Sequence, residues 1–302
     1  MRNLAGCWLL ACAAVCCTLG VVSVPSASLG QSAGAPAGPA SVLQGGLELI
    51  DPKVLRVCAD PNSLPLSNDK GEGFENKLAE LFAAKLGKSL SYTYYPESTG
   101  FVRNTLGSYR CDVIMGFPQG DDLVLSTNPY YRTGYAFVAK SDSPLIDVET
   151  LSDAQLKDKR LGIVAGTPPA TYLVMDGLMQ KAKSYPLVVD TRYDSSPLAM
   201  INDIKSGVID AGILWGPLAG YYSSRANPPM HATLLLKEKG GPRLVYRIVM
   251  GVRPSDANWR RQLNQLIAEN QPTINKLLLD YGVPILNEQD QRITADALTQ
   301  KP

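Results

Sequence analysis

Apolar residues recur along this chain in short blocks that switch between two periods. Leu55-Arg-Val-Cys-Ala59 is an apolar run that ends in Asp60-Pro-Asn-Ser-Leu-Pro65. It predicts a strand delivering a turn-forming loop at its C-terminal end. Phe74, Leu78, Leu81, Phe82 and Leu86 return at helical spacing between Gly73 and Gly87 and predict a helix closed by glycine. Ser91 to Tyr95 alternates like a strand, and Phe101 to Leu106 begins a second helix that ends near Gly107. A third strand opens at Cys111, runs apolar from Val113 to Met115 and stops at Gly116. A polar loop and Asn128-Pro-Tyr-Tyr131 then lead into another apolar run, Tyr135 to Val138. The order β-α-β-α-β predicts a parallel sheet covered by helices, with the Cys111 strand presenting its end to a cleft.

The theme repeats in the second half. Leu161 to Val164 predicts a strand, and Gly166-Thr-Pro-Pro169 a helix start with Thr167 as cap and Pro168 in first position. Pro186 to Val189 predicts the next strand, Ser195 to Ser206 a helix ended by Gly207, and Val208 to Leu214 a strand leading to Trp215-Gly-Pro217. Tyr246 to Val252 is one more apolar strand. Trp259 to Asn270 and Thr273 to Tyr281 follow as amphipathic helices divided by Pro272. A strand and helices left over at the end are used most simply by returning to the first unit. The expected architecture is therefore α/β and two-lobed, each lobe a mostly parallel sheet covered by helices. Lobe 1 is expected from residues 51–141 and 246–302 and lobe 2 from 142–245. A two-strand hinge crosses near Ala139 to Pro144 and Leu244 to Ile248, and ligand is held between strand ends of both lobes.

The N-terminus changes the picture of compartment. Arg2 is the only charge before Glu48, and Leu4 to Val24 is almost uninterruptedly apolar before small residues around Ser26-Ala-Ser28. This predicts a secretory signal over residues 1–28, an uncleaved membrane anchor being the alternative, and export to the periplasm. The Gly-, Ala-, Pro- and Ser-rich stretch that follows makes residues 29–50 a flexible linker. Cys7, Cys12, Cys16 and Cys17 leave with the signal, so Cys58 and Cys111 remain. An oxidising compartment favours a bridge between them. Parallel register argues the other way, since residues at opposite ends of neighbouring strands exceed the ~7 Å between Cα atoms that a bridge allows. The sequence leaves both outcomes open. With 29 basic and 28 acidic groups, one of the basic ones in the signal, the chain has no broad field to draw nucleic acid or anionic lipid.

Several stretches together resemble the type II periplasmic solute-binding proteins, close to the polar amino-acid receptors: Gly73-Phe-Glu75, Cys111-Asp-Val-Ile-Met-Gly116, Asn128-Pro-Tyr-Tyr131, Gly166-Thr167 and Gly207-Val-Ile-Asp-Ala211. More narrowly, Leu55 to Pro65, Gly71-Glu-Gly-Phe-Glu-Asn-Lys77 and Gly100-Phe-Val-Arg-Asn-Thr-Leu106 resemble the J-type (MxaJ- and XoxJ-like) branch that accompanies pyrroloquinoline-quinone methanol dehydrogenases. The resemblance implies a quinoprotein alcohol dehydrogenase as partner, with its c-type cytochrome as a second, and no cofactor or metal of the chain's own. The alternative it implies is a receptor for an ABC transporter permease. Measured against the receptors, three anchors of an α-amino acid are missing. Asp121 stands where they place an arginine for the ligand carboxylate, Pro168 and Pro169 remove two N–H groups from the helix start, and Trp215 replaces the aspartate for the ammonium. The candidate cleft is accordingly Asp60, Asn62, Phe74, Phe101, Arg103, Gly116, Phe117, Pro118, Asp121, Tyr130, Tyr131, Gly166, Thr167, Tyr193 and Trp215. An aromatic rim with few converging charges suits an apolar ligand or a segment of another protein.

Other chemistries find little support. His231 is the one histidine, in an Asn-Pro-Pro-Met-His turn without a second metal-ligating partner, and no nucleophile elbow, phosphate loop or nucleotide fingerprint is present. Some relatives in the superfamily are dehydratases, which need a carboxylate acid and a cationic anchor. Asp60 and Arg103 are the only candidates, and loop capping and a solvated helix face account for them. The chain is expected to be a binding protein and not an enzyme.

Overall fold

The computed structural model describes residues 48–296. The expected signal at residues 1–28, the linker up to residue 47 and the last residues assigned to lobe 1 lie outside them. In chain order the elements are β1 (Val54–Ala59), the short β2 (Asn62–Ser63) and β3 (Ser67–Asn68), α1 (Phe74–Leu86), β4 (Ser89–Tyr94), α2 (Phe101–Asn104), β5 (Val113–Pro118), β6 (Leu125–Ser126) and β7 (Tyr131–Lys140). Then come β8 (Leu161–Val164), α3 (Pro169–Met175), β9 (Lys183–Tyr185), α4 (Ser196–Ser206), β10 (Ala211–Trp215), α5 (Gly216–Ser224), β11 (Met230–Leu234), β12 (Val245–Val252) and α6 (Ala257–Asp280).

Two sheets share one strand. In lobe 1, β1 lies parallel to β4 and β5, and β12 runs antiparallel to β5 and to the first half of β7. In lobe 2, β10 and β9 lie parallel to β8, and the second half of β7 is antiparallel to β10 and β11. The protein is thus a two-lobed α/β fold, as its sequence pattern predicts. β7 is 10 residues long and serves both sheets, so its partner changes from β12 to β10 at Gly134–Tyr135, upstream of the crossing expected near Ala139.

Burial explains the elements. Phe74, Leu78 and Phe82 on one face of α1 pack with Val57, Val113, Met115 and Met250 of the sheet and with Trp259, Leu263, Ile274 and Leu278 of α6. Asn76 begins α1 by accepting from the Gly73 and Asn68 amides at 3.1 and 3.0 Å. In lobe 2, Leu151, Leu161, Leu173 and Ile213 fill one side of the sheet, and Val138, Met200, Ile204 and Leu214 the other.

Four expectations are corrected. The C-terminal pair of helices is one helix through Pro272, because its buried stripe continues on both sides of the proline and packing offsets the lost hydrogen bond. The strand expected at Pro186 to Val189 lies earlier, at Lys183 to Tyr185. Its last contact is the Ala165 amide donating to the Tyr185 carbonyl at 2.8 Å, after which Pro186 has no N–H to offer β8. β5 runs on past Gly116 to Pro118 because β12 continues beside it. α3 starts at Pro169 with Pro168 as cap, and the Thr167 hydroxyl donates to the Val164 carbonyl at 2.6 Å instead of capping. The open question of the cysteines is also answered: Cys58 and Cys111 are bridged, with Cα atoms 5.4 Å apart. Register pairs Cys58 with Ile114, but Cys111 precedes β5 and curls back, so the parallel-strand distance does not apply.

Candidate functional site

The site begins where β1 ends. Asp60 is 2% exposed, and its carboxylate accepts from the Asn62 amide at 2.8 Å, the Glu97 amide at 2.6 Å and the Thr191 hydroxyl at 3.0 Å. The first two bonds shape the loops after β1 and β4, and the third reaches the other lobe. Asn62 Nδ2 donates to the Thr191 carbonyl at 2.7 Å, and the Tyr222 hydroxyl of α5 donates to the Leu64 carbonyl at 3.2 Å. These three side-chain hydrogen bonds join the lobes across the cleft, and a further one, from Arg225 to the Tyr281 carbonyl at 3.4 Å, joins them beside α5.

Behind these contacts lies a cavity of about 200 Å³. Tyr135, Val164, Leu187, Ile213, Leu214, Trp215 and Leu218 give it apolar walls. Trp215 is held edge-on between Tyr135, at 5.2 Å, and Tyr246, at 5.8 Å. Burial pushes the Tyr135 hydroxyl up to about 12, so it stays a neutral donor. Among the described residues, three carboxyl residues, Asp60, Glu97 and Asp194, line the cavity, and no lysine, arginine or histidine does. Glu97 keeps surface, but that surface faces this cavity and a neighbouring one, and the protein around it and nearby Asp60 raise its carboxyl to about 7. Glu75 is pushed well above the carboxylate range, first by burial and then by Glu97 and Asp60. Its Oε1 stands 2.2 Å from where a Cβ on Gly116 would lie, so that glycine leaves room for the carboxyl.

The second cavity, about 480 Å³, lies between Phe101, Arg103, Phe117 and Leu123, with Glu97 at the border. The predicted cleft residues thus divide. Asp60, Asn62, Thr167 and Trp215 meet in the interlobe cavity, and Phe101, Arg103 and Phe117 in its neighbour. Phe74, Tyr130 and Tyr131 are core: Phe74 packs edge-on against Tyr131 at 6.2 Å, and the Tyr130 hydroxyl donates to the Met115 carbonyl at 2.8 Å. Tyr131 and Tyr135 lie on the same side of β7, four residues apart, but Tyr131 is beside Ile248 in the lobe 1 sheet, whereas Tyr135, not singled out from sequence, is beside Trp215 where the strand changes partner, and lines the cleft. Asp121 is exposed and accepts from the Leu123 amide at 2.9 Å, which closes its own loop outside the interlobe cavity. Pro118 is also exposed, and Gly166 forms a turn at φ 78° outside the lining. Tyr193 is 80% exposed, its ring under the Arg192 guanidinium at 5.5 Å.

Glu97, Tyr135, Leu187, Thr191, Asp194 and Leu218 are among the cavity residues that sequence reasoning missed. Glu97 follows a parallel strand on the side that faces the cleft, which was signal enough. Leu187 and Asp194 were hidden by the misplaced strand at Pro186. Among the described residues no three His, Cys, Asp or Glu side chains gather where they could hold a metal, and His231 is exposed in β11.

A mixed sheet in two lobes around a cleft at strand ends defines a solute-binding protein, and the chain belongs to the bacterial extracellular solute-binding proteins, family 3, whose profile matches residues 55–282. Protein MoxJ of Methylorubrum extorquens (strain ATCC 14718 / DSM 1338 / JCM 2805 / NCIMB 9133 / AM1) is 28% identical over 252 residues, 78% of this chain and 83% of its own length. Periplasmic binding protein XoxJ from Methylobacterium extorquens AM1 superposes with a TM-score of 0.67 at 38% identity, covering 78% of this chain and 100% of that one. MxaJ from Methlophaga aminisulfidivorans MPT gives 0.66 at 28% identity, covering 77% and 100%. These similarities put the chain in the MoxJ-like branch of the type II periplasmic binding proteins.

Proposed function

We propose that the protein is an exported, periplasmic accessory factor of a pyrroloquinoline-quinone-dependent methanol or alcohol dehydrogenase, which it helps to mature or become active by holding a polypeptide segment in the interlobe cleft. The observation that carries this reading is the make-up of the cavity. Its walls are apolar and aromatic, and no cationic side chain lines it. A free amino acid would bring a carboxylate to a site whose charged groups, among the described residues, are all carboxyls, and a buried charge without an opposite charge is strongly disfavoured. An apolar side chain presented by another protein carries no such cost. The likeness to MoxJ and XoxJ and the J-type resemblance of Leu55 to Pro65 supply the dehydrogenase as partner.

One observation favours a receptor instead. The cavity is enclosed between two lobes in direct contact, as a small solute for a transporter would require. Deletion of the gene tests the two together. On the accessory reading the dehydrogenase polypeptide persists but its activity is lost, and a plasmid copy restores it. Undiminished activity, with a rise of several degrees in the melting temperature of the purified protein on adding one small apolar solute, would replace this reading by the receptor.

A further inference from the structure

The interlobe cavity says something about the charge of its occupant. Its walls are apolar, yet carboxyl groups reach it from both lobes: Glu97 from the loop after β4, and Asp194 from the segment between β9 and α4. Asp60 is already saturated by three donors. Among the described residues, Glu97 and Asp194, both exposed at the cavity, form no ion pair and no side-chain hydrogen bond, unlike Asp190 nearby, which is gripped by Arg192 through two bonds of 2.8 and 2.6 Å. Arg192 lies on an outer groove and Arg103 on the second cavity. Resting on the accessory reading, we infer that the cleft takes a basic segment of the partner: an apolar side chain enters the cavity, and a flanking lysine or arginine meets Glu97 of one lobe and Asp194 of the other.

Charge complementarity and volume both favour this occupant. An isolated apolar side chain fits a space of about 200 Å³, whereas a folded surface does not enter it. A cation that meets both offsets two carboxyl groups that line one cavity from different lobes, and it ties the lobes together in doing so. An acidic segment would add repulsion to both.

The pairing makes binding pH-dependent. Glu97 has Asp60 and Glu75 near it in its own lobe and shares the second cavity with Arg103, and the protein packed around its carboxyl, with Asp60, raises it to about 7 although part of its surface is open to the cavities. A bound cation favours the ionised form, so affinity for a basic segment rises with pH through that value. The limit for one group is about tenfold between pH 6 and pH 8.

The test uses the full exported chain and three synthetic peptides: acetyl-Gly-Lys-Leu-Lys-Gly-amide, its Glu-Leu-Glu counterpart and its Gly-Leu-Gly counterpart. By titration calorimetry at pH 8, the Lys peptide is expected to bind at least about fivefold tighter than the Glu peptide. It should weaken on going to pH 6. Glu97→Gln with Asp194→Asn should erase the preference for the Lys peptide over the Gly peptide and flatten the pH profile. The melting temperature of the double variant confirms that it is folded. Equal binding of the three peptides, binding of none at millimolar concentration, or a preference that survives the double variant each overturns the inference. Dehydrogenase activity in the deletion strain is read separately, so loss of the accessory reading and loss of this one give different results.

Discussion

Asp112 is 1% exposed and lies between two guanidinium groups. It accepts from Arg56 at 2.7 and 2.6 Å and from Arg253 at 2.7 Å, and the bond from Arg56 raises that guanidinium further above its usual range. Arg253 is itself 3% exposed and donates to the Cys111 carbonyl at 2.6 Å. Its Nε also stands 2.7 Å from Asp256, but the N–H does not aim at that oxygen, so the contact is an attraction of charges without a hydrogen bond. Removing Asp112 takes from buried Arg253 one of its two carboxylate partners and leaves it Asp256 and the Cys111 carbonyl. Asp112→Ala should lower the free energy of unfolding by about 3 kcal/mol in urea titration, the low end for breaking a buried pair, and a loss below about 1 kcal/mol would show that Asp256 alone compensates Arg253. This network was not legible in the sequence. Arg56, Asp112 and Arg253 are 56 and 141 residues apart in their pairs, and no local pattern links them.

Elements were legible where one period ran without interruption. β1, α1, α4 and β12 were found because their buried faces repeat in the sequence and glycines close the two helices. α5 was missed because Gly216-Pro-Leu-Ala-Gly220 reads as a loop, and its apolar residues form no single stripe. Those glycines are what seat it. A Cβ on Gly216 would lie 2.4 Å from the Gly134 carbonyl oxygen of β7, and one on Gly220 would lie 1.9 Å from that of Gly282, after α6. The two positions share a helix face, so the backbone of α5 lies directly on the hinge strand and on the turn beyond α6. Gly220→Ala has no flexible side chain to displace, only backbone. It should cost about 1–3 kcal/mol and lower the melting temperature by several degrees, more than overpacking a site where a side chain can turn aside. An unchanged melting temperature would mean that α5 shifts freely on its seat.

At the scale of the molecule, two repeats of β-α-β-α-β and a leftover strand were enough to predict two lobes and to bring Asp60, Asn62, Thr167 and Trp215 to one cavity. What could not be read was the bridge between lobes, since Thr191 stands 129 residues from Asn62 and 131 from Asp60 and meets them through its carbonyl and its hydroxyl from irregular backbone. That bridge determines whether the cleft opens. Asn62→Ala, Thr191→Val and Tyr222→Phe remove the bonds to Thr191, Asp60 and Leu64, each worth about 1 kcal/mol. Together they shift the balance between joined and parted lobes by roughly a hundredfold. The triple variant should show a larger radius of gyration by small-angle scattering. Hydrogen exchange should quicken in the stretch 186–194, while the core of α1 and α6 keeps its protection, because the cores within each lobe are untouched. If both measurements match the parent protein, the shared strand β7, its partner β12 and the seat of α5 on the turn at Gly282 hold the lobes without those three bonds. The cleft would then have to admit its occupant without parting of the lobes.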